Sequence, residues 1–385
     1  MNRMSAVAAL DSTPMLADGL PVQVHHDRTL RVKIIDACGM TCTFCHNEGT
    51  PVVADNLGTS RGKMTERGHS GRVSIYLATN GATFLPATIA PDDAFASALV
   101  RLREALSLEE LHLTGGEPSL HPRLAEIVTA GASAGLRVCM TSNGENGARV
   151  MVDCARAGLY RVNFSIFGTT ATELAQVQEA RFADVQRAEK KIRALRESVR
   201  LTLAHGVGAS ANIVVPNYDH ATRVRRLMDE YAPELSVRLL NSLDDGIESI
   251  EAIERILADL GAVPTGHHVT AGASGWRTSY QMPGGRVVWF KQIRPVRLPQ
   301  TCAGCRFNNG TDCQEGYYGV RLYRDRSGGF QVGVCIQRMD LCLPVEEFIG
   351  SDLCREIIAL RDTDYVQLSS ASRINPKGNH DADRV

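Results

Sequence analysis

No apolar run in this chain of 385 residues approaches the roughly 20 residues needed to span a bilayer. A secretory signal is also missing. The apolar patch at residues 6–10 is short and is interrupted by Asp11, which does not suit a signal peptide. Net charge is absent too: a balance of −1 gives no global attraction for a nucleic-acid polymer. These absences point to a cytoplasmic protein with neither membrane nor nucleic acid among its partners. Hydrophobic content of 44% and charged content of 22% are ordinary for a globular chain. The length suffices for a large core and two domains.

Cysteine, by contrast, is abundant, with eleven residues. In a reducing compartment, clustered cysteines mean metal or catalysis rather than disulfides. Cys38, Cys42 and Cys45 form C-x3-C-x2-C straight after the apolar run at 30–35. They stand too close together to staple distant parts of a fold. Thiolates in so short a run suit an iron–sulfur cluster, with a zinc knuckle as the alternative. Three ligands leave one iron open, and an open position is where metal chemistry happens. Cys302 and Cys305 form C-x2-C, followed by Cys313 and Cys335. That pattern also marks a metal site, with zinc as the alternative to iron and sulfur. Cys139, Cys154, Cys342 and Cys354 read as small buried hydrophobes, with Cys342 an alternative cluster ligand.

Between the cysteine groups strands and helices alternate. Strands are expected at 30–35, 108–113, 136–140, 161–166, 211–215 and 235–240. A helix starts at Pro91-Asp92-Asp93, with Phe95, Leu99, Leu102 and Leu106 on one face. Others are expected at 124–134, 148–157, 222–231 and 249–260, with a long charged helical region over 170–200. Such alternation builds an α/β fold with a parallel sheet, here a partial (β/α)6 TIM-like barrel. In such folds function sits at the C-terminal strand ends. The cysteine loop, residues 115–118, residues 141–143, Ser165 and Asn217 all fall there, which argues for one site. The Gly-rich loop at 47–72 is either a functional lid or disordered.

The C-x3-C-x2-C pattern, with Phe44 before its last cysteine, resembles the signature of the radical SAM superfamily. Leu113-Thr114-Gly115-Gly116-Glu117-Pro118 is similar to that family's GGEP motif. Residues 157–165, reading AGLYRVNFS, resemble the branch of molybdenum-cofactor GTP 3′,8-cyclases (MoaA-like), as do 212–215 and 237–240. The likeness runs from about residue 30 to about 340. It implies a [4Fe–4S] cluster on Cys38, Cys42 and Cys45 that binds S-adenosylmethionine (SAM). An electron from the cluster would cleave SAM to a 5′-deoxyadenosyl radical, which abstracts hydrogen from substrate. It also implies SAM contacts from Phe44, Gly115, Gly116, Glu117, Pro118, Ser142, Asn143, Ser165 and Val214. An electron donor such as flavodoxin or ferredoxin follows, and a second [4Fe–4S] cluster becomes the favoured reading of Cys302, Cys305, Cys313 and Cys335.

The chain departs from that branch in two places. Cys313 is an added cysteine, which would close the second cluster if all four ligate. The glycine-pair C-terminus is replaced by Asp381-Ala382-Asp383-Arg384-Val385. Both argue against GTP itself. Residues 277–338 hold ten basic residues against Asp312, Glu315 and Asp325 alone. That excess either solvates the surface and balances thiolates or receives an anionic substrate. The expected division is a leader at 1–28, a barrel at 29–262, an auxiliary-cluster module at 263–350 closing the barrel mouth, and a C-terminal helix and tail at 351–385. Within that module, residues 280–287 read as two short strands about Gly284-Gly285, and Glu315, Tyr317 and Tyr318 stand near the second cluster. After residue 365 the chain is polar and is expected to fray. The expected reaction is hydrogen abstraction from a small anionic molecule, nucleotide or nucleoside-sugar-like. Cyclisation, rearrangement or oxidation would follow. Modification of a ribosomally made peptide is the alternative, disfavoured by the lack of a separate peptide-recognition segment at the N-terminus. No substrate base is named by the sequence.

Overall fold

The computed structural model describes residues 19–45, 75–76, 80–309, 312–317 and 319–373. The loop at 47–72 and Tyr318 lie outside the described residues. Six parallel strands form the centre: β2 (Thr29–Ile35), β4 (Glu110–Gly115), β5 (Arg137–Ser142), β6 (Leu159–Ser165), β7 (Gly208–Val215) and β8 (Ser236–Asn241). They pair in chain order, with Leu30 beside Leu111 and Val32 beside Leu113. Helices connect them: α1 (Asp93–Leu106), α2 (Leu124–Ser133), α3 (Gly147–Arg156), α4 (Ala171–Gln176), α5 (Val185–Ala204) and α6 (Ala221–Glu230).

Local chemistry sets the helix ends. The Asp92 side chain accepts from the Phe95 amide at 2.9 Å to start α1. Phe95, Leu99, Leu102 and Leu106 are its buried face, as the spacing predicts. The charged region over 170–200 divides in two. Thr170 and Glu173 form a capping box that starts α4, and Asp184 caps α5 separately.

The remaining strands extend the same sheet at both edges. Beyond β8 lie β11 (Val287–Ile293), β10 (Gly275–Gln281), β9 (Val263–Ala271) and β1 (Val22–His26). Beyond β2 lie β12 (Val320–Asp325), β13 (Phe330–Gly333) and β14 (Leu343–Pro344), with β3 (Pro86–Ala87) paired to β12. The barrel is therefore partial, and the sheet does not close. The C-terminal strands lengthen its two edges. β1 falls within the stretch read as a leader; five residues carry too little periodicity to announce an edge strand.

After α7 (Gly246–Asp259), the chain ends in α8 (Val345–Gly350) and α9 (Asp352–Arg373). The helix runs past residue 365 instead of fraying there. Tyr365 stacks on His26 with centroids 4.1 Å apart, and Leu368 is buried with Trp276. Arg361 is buried beside Asp27 at 3.6 Å and donates to the Leu106 carbonyl at 3.1 Å. Burial raises the Asp27 pKa, and Arg361 restrains that rise. Replacing Arg361 by Met is expected to cost about 3 kcal/mol at neutral pH, because Asp27 is left buried without its counter-charge. With its folded pKa raised, Asp27 favours folding when protonated, so this deficit should shrink as pH falls. Denaturant unfolding at pH 7 and pH 5 checks both points.

Candidate active site

The cysteine loop leaves β2 against the end of β4. Gly116 donates its amide to the Ile35 carbonyl at 2.8 Å, and Glu117 donates to the Ala37 carbonyl at 2.8 Å. A Cβ on Gly115 would meet the Ile35 oxygen at 2.3 Å, and one on Gly116 would meet the Asp36 oxygen at 2.2 Å. Gly115 also holds φ at +148°, which an L side chain rarely adopts. These glycines thus permit a close backbone approach to the cysteine loop. Pro118 starts a 3-10 turn behind them.

Glu117 is buried, and its carboxylate is engaged within the protein. It accepts from Ser142 Oγ at 2.7 Å, from the Asn143 amide at 2.6 Å and from the Ser119 amide at 2.9 Å. Burial pushes its pKa up against the pull of these hydrogen bonds. Ser142 also accepts from the Gly144 amide at 3.0 Å. Glu117 and Ser142 therefore bind the ends of β4 and β5 together.

Asn143 reaches the cysteines directly. Its Nδ2 donates to Cys38 Sγ at 3.6 Å. Gln178, past the end of α4, donates to Cys42 Sγ at 3.4 Å and accepts from the Thr41 amide at 2.8 Å. Glu145 accepts from the Gly39 amide at 2.8 Å and pairs with Lys191. Phe44 stands half exposed against Phe167, with centroids 5.2 Å apart. Gln178 and Glu145 carry no motif signal; a lone polar residue looks like surface until the loop is seen against it. Donors aimed at thiolate sulfur set the potential of an iron–sulfur centre.

The inner face of the sheet is polar. Arg321, Arg31, His112, Cys139 and Arg161 form one row across β12, β2, β4, β5 and β6. Thr141, Asn163 and Ser210 follow, then Ser165, Asn212, Arg238 and Trp289, then Val214, Leu240, Lys291 and Arg277. Ser165 and Val214 thus lie on adjacent rows. Asn217 instead caps the turn after β7, accepting from the Asp219 amide at 3.1 Å. A TIM-type barrel normally fills this space with branched apolar side chains.

Hydrogen bonds join the inner rows. His112 meets Thr141 at 2.8 Å, Ser210 donates to Asn163 at 2.7 Å, and Arg238 donates to Asn163 at 3.1 Å. Burial works against Glu110, yet His112 and Arg161 outweigh it and hold that carboxyl at about 2. Burial, with Arg31 and Arg161, pulls His112 to about 4 despite Glu110. Burial, Arg277 and Arg161 pull Arg238 to about 9. The inner face thus gathers cations and few carboxylates.

Cys302, Cys305 and Cys313, between β11 and β12, and Cys335, after β13, line one pocket with Arg297, Tyr317 and Arg338. Asn308 donates to the Cys302 carbonyl at 2.9 Å and accepts from Arg297 at 2.7 Å, holding the loop. Burial raises the Cys302 and Cys335 thiols, and neighbouring cysteines add to it. Cys342 does not line this pocket; it packs near Tyr323 and Gly333. Cys139 and Cys154 are pushed to about 12 by burial, and Cys354 is buried, as suits inert thiols. Among the described residues, no three His, Cys, Asp or Glu side chains converge as one metal ion requires.

Replacing Gly116 by Ala is expected to push the backbone of residues 36–37 off β4. Anaerobically reconstituted Gly116→Ala protein should hold about half the iron of the parent, with its melting temperature lowered by several degrees, about 4 °C or more. Colorimetric iron counting and thermal unfolding check this.

Residues 32–209 match the Radical SAM superfamily. The chain is 26% identical over 291 residues to a probable GTP 3′,8-cyclase of Aeropyrum pernix, covering 72% of this chain and 69% of that protein. It is 24% identical over 301 residues to a probable GTP 3′,8-cyclase of Metallosphaera sedula, covering 77% and 81%. Among solved structures, SuiB of Streptococcus suis bound to S-adenosylmethionine aligns over 90% of this chain and 68% of its own, at 11% identity and a TM-score of 0.48. The superfamily implies a [4Fe–4S] cluster and SAM. The cysteine loop seated on Gly115 and Gly116 is that of a radical SAM enzyme homologous to the GTP 3′,8-cyclases.

Proposed function

We propose that the protein abstracts hydrogen from a small anionic molecule, nucleotide or nucleoside-sugar-like, in cofactor or natural-product biosynthesis. Cyclisation, rearrangement or oxidation completes the reaction. The observation that carries this reading is the inner face itself. Arg31, Arg161, Arg238, Arg277, Arg321 and Lys291 line it, with Glu110, Glu315 and, at Arg31, Asp27 among the carboxylates that act on them. Burying like charges together is costly unless something of opposite sign joins them.

In this reading Cys38, Cys42 and Cys45 hold three irons of a [4Fe–4S] cluster, and the cluster with SAM supplies a 5′-deoxyadenosyl radical when reduced. Asn143 and Gln178 donate to the cysteine sulfurs. Glu117 fixes the two strand ends beneath them through Ser142 and the Asn143 amide. Ser165 and Val214 face the space where the nucleoside of SAM would lie, with Phe44 at its margin. Gly115, Gly116 and Pro118 set the loop's height above the sheet.

Cys302, Cys305, Cys313 and Cys335 would hold a second [4Fe–4S] cluster. Four thiolates also suit one zinc ion; the first cysteine group and the resemblance to the GTP 3′,8-cyclases favour iron and sulfur here. With all four engaged, no iron is left for substrate, so this cluster carries electrons or braces the fold. A small electron-transfer protein, flavodoxin or ferredoxin in kind, supplies the reducing electron.

Anaerobic reconstitution should give about eight irons per chain and dithionite-dependent 5′-deoxyadenosine. Cys42→Ala should retain about four irons and form no 5′-deoxyadenosine. Tightly bound zinc with no SAM cleavage would sink the reading, as would unaltered 5′-deoxyadenosine formation by Cys42→Ala.

A further inference from the structure

Seven of the ten basic residues at 277–338 fall into two groups. Arg294 pairs with Asp364, Arg324 with Asp92 and Arg338 with Asp340. Arg286 donates to the Met228 and Leu235 carbonyls, at 2.8 and 2.9 Å. Arg297 holds Asn308. These cations serve the fold. Arg277 and Lys291 do not.

Arg277 and Lys291 stand directly opposite each other across β10 and β11. Side chains so paired lie on one face, and like charges there repel. Among the described residues, neither side chain has a hydrogen bond or an ion pair. Arg277 lies over the Trp289 ring, 5.4 Å from its centroid. Lys291 faces Arg31, Arg238 and Arg277; Glu315 opposes them at Lys291, and Glu110 acts on Arg238 and Arg277. Glu315 is itself occupied, accepting from Ser274 Oγ at 3.0 Å. Cations thus outnumber the carboxylates that act on the pair.

We propose that Arg277 and Lys291 together hold an anionic group of the substrate, a phosphate or a carboxylate, on the wall formed by the β10–β11 hairpin. The proposal rests on the reading of the polar inner face as the reaction chamber. The two residues differ in what they contribute. Arg277 presents a planar fork that matches either anion. Trp289 fixes that fork from one side and is itself set edge-on to His268 at 4.8 Å. Burial and Arg277 hold His268 near a pKa of about 4, so it adds no third charge at neutral pH. Lys291 contributes a compact ammonium with three donors. The pair shares its row with Val214 and Leu240, which sets the anion beside the place given to the SAM nucleoside.

Burial and the surrounding arginines pull Lys291 down to about 8. An anion favours its charged form. Above that pH, binding must therefore bring a proton with it, and affinity falls as pH rises, by up to about tenfold per unit.

The test uses reconstituted full-length protein with inorganic phosphate and acetate as probes. Acylation of Lys291 by acetic anhydride is followed by peptide mass spectrometry, with exposed Lys190 as the internal control. Phosphate, acetate or both should slow labelling of Lys291 at least about fivefold and leave Lys190 unchanged. The effective probe identifies the anion. Calorimetry of Arg277→Gln and Lys291→Met should show that anion bound about tenfold more weakly, and the parent's affinity should drop between pH 8 and 9. Lys291 labelled at the same rate with and without either anion overturns the proposal, as does full affinity in both variants. Anion binding requires neither reductant nor SAM cleavage. A parent protein that binds phosphate but forms no 5′-deoxyadenosine refutes the proposed function and not the subsite; the reverse result refutes the subsite alone.

Discussion

The backbone of residues 35–37 lies so close to Gly115 and Gly116 that no side chain fits between them. Two amide-to-carbonyl bonds, from Gly116 and Glu117, hold that approach. Everything polar around the cysteines depends on this seat. Glu117 can reach Ser142 and the Asn143 amide only because its own amide is bound to Ala37. Asn143 can then reach Cys38. One backbone contact thus passes position from β2 to β4 to β5, and no loop has to find the cysteines alone. Sites built on rigid strands hold their geometry better than sites on loops.

The inner face imposes the opposite demand. Its rows of Arg, His, Asn and Ser contribute little to folding, and burial of such groups is unfavourable unless they are hydrogen-bonded. The helix-facing side compensates. On β7, Ala209, Ala211, Ile213 and Val215 are buried in the main core, while Ser210, Asn212 and Val214 alternate to the other side. The same division holds on β4, where Leu111 and Leu113 are fully buried and His112 faces inward. Stability and chemistry are therefore sorted residue by residue along each strand. A substitution's effect depends more on the parity of its position than on its distance from the cysteines.

Much of this was legible in the sequence. The six central strands, the helices between them and the Gly284-Gly285 hairpin follow from periodicity and turn chemistry, which act locally. The cysteine patterns name their chemistry because thiolate spacing limits what can be shared. What escaped depends on contacts between distant segments. β1 and β9 pair with each other across more than two hundred residues of chain, and neither has a strong pattern of its own. The helix past residue 365 is polar in sequence and is held by His26, Trp276 and its neighbours. The motif names Glu117 and Ser142 as ligand contacts; that they also bind each other and the backbone is not written in it. Whether the basic stretch at 277–338 was surface or site could not be read from charge alone; it required knowing which arginines had found carboxylates.

The sheet's order explains why one segment carries two tasks. β11 joins the barrel beside β8, and β12 joins it beside β2. The connection between them must therefore run from one edge of the six-stranded centre to the other. Cys302, Cys305 and Cys313 lie on that connection, and Cys335 follows β13. A cluster bound there would tie the two edges of an open sheet together, as a crosslink that closes a long loop restricts the unfolded chain. The hairpin that precedes the connection brings Arg277 and Lys291 to the inner wall. Moving the hairpin would move both the anion-facing pair and the start of the cysteine loop. Changes in this segment should therefore couple substrate preference to the second cluster, while leaving the Gly115–Gly116 seat, and with it the means of making the radical, on a separate part of the fold.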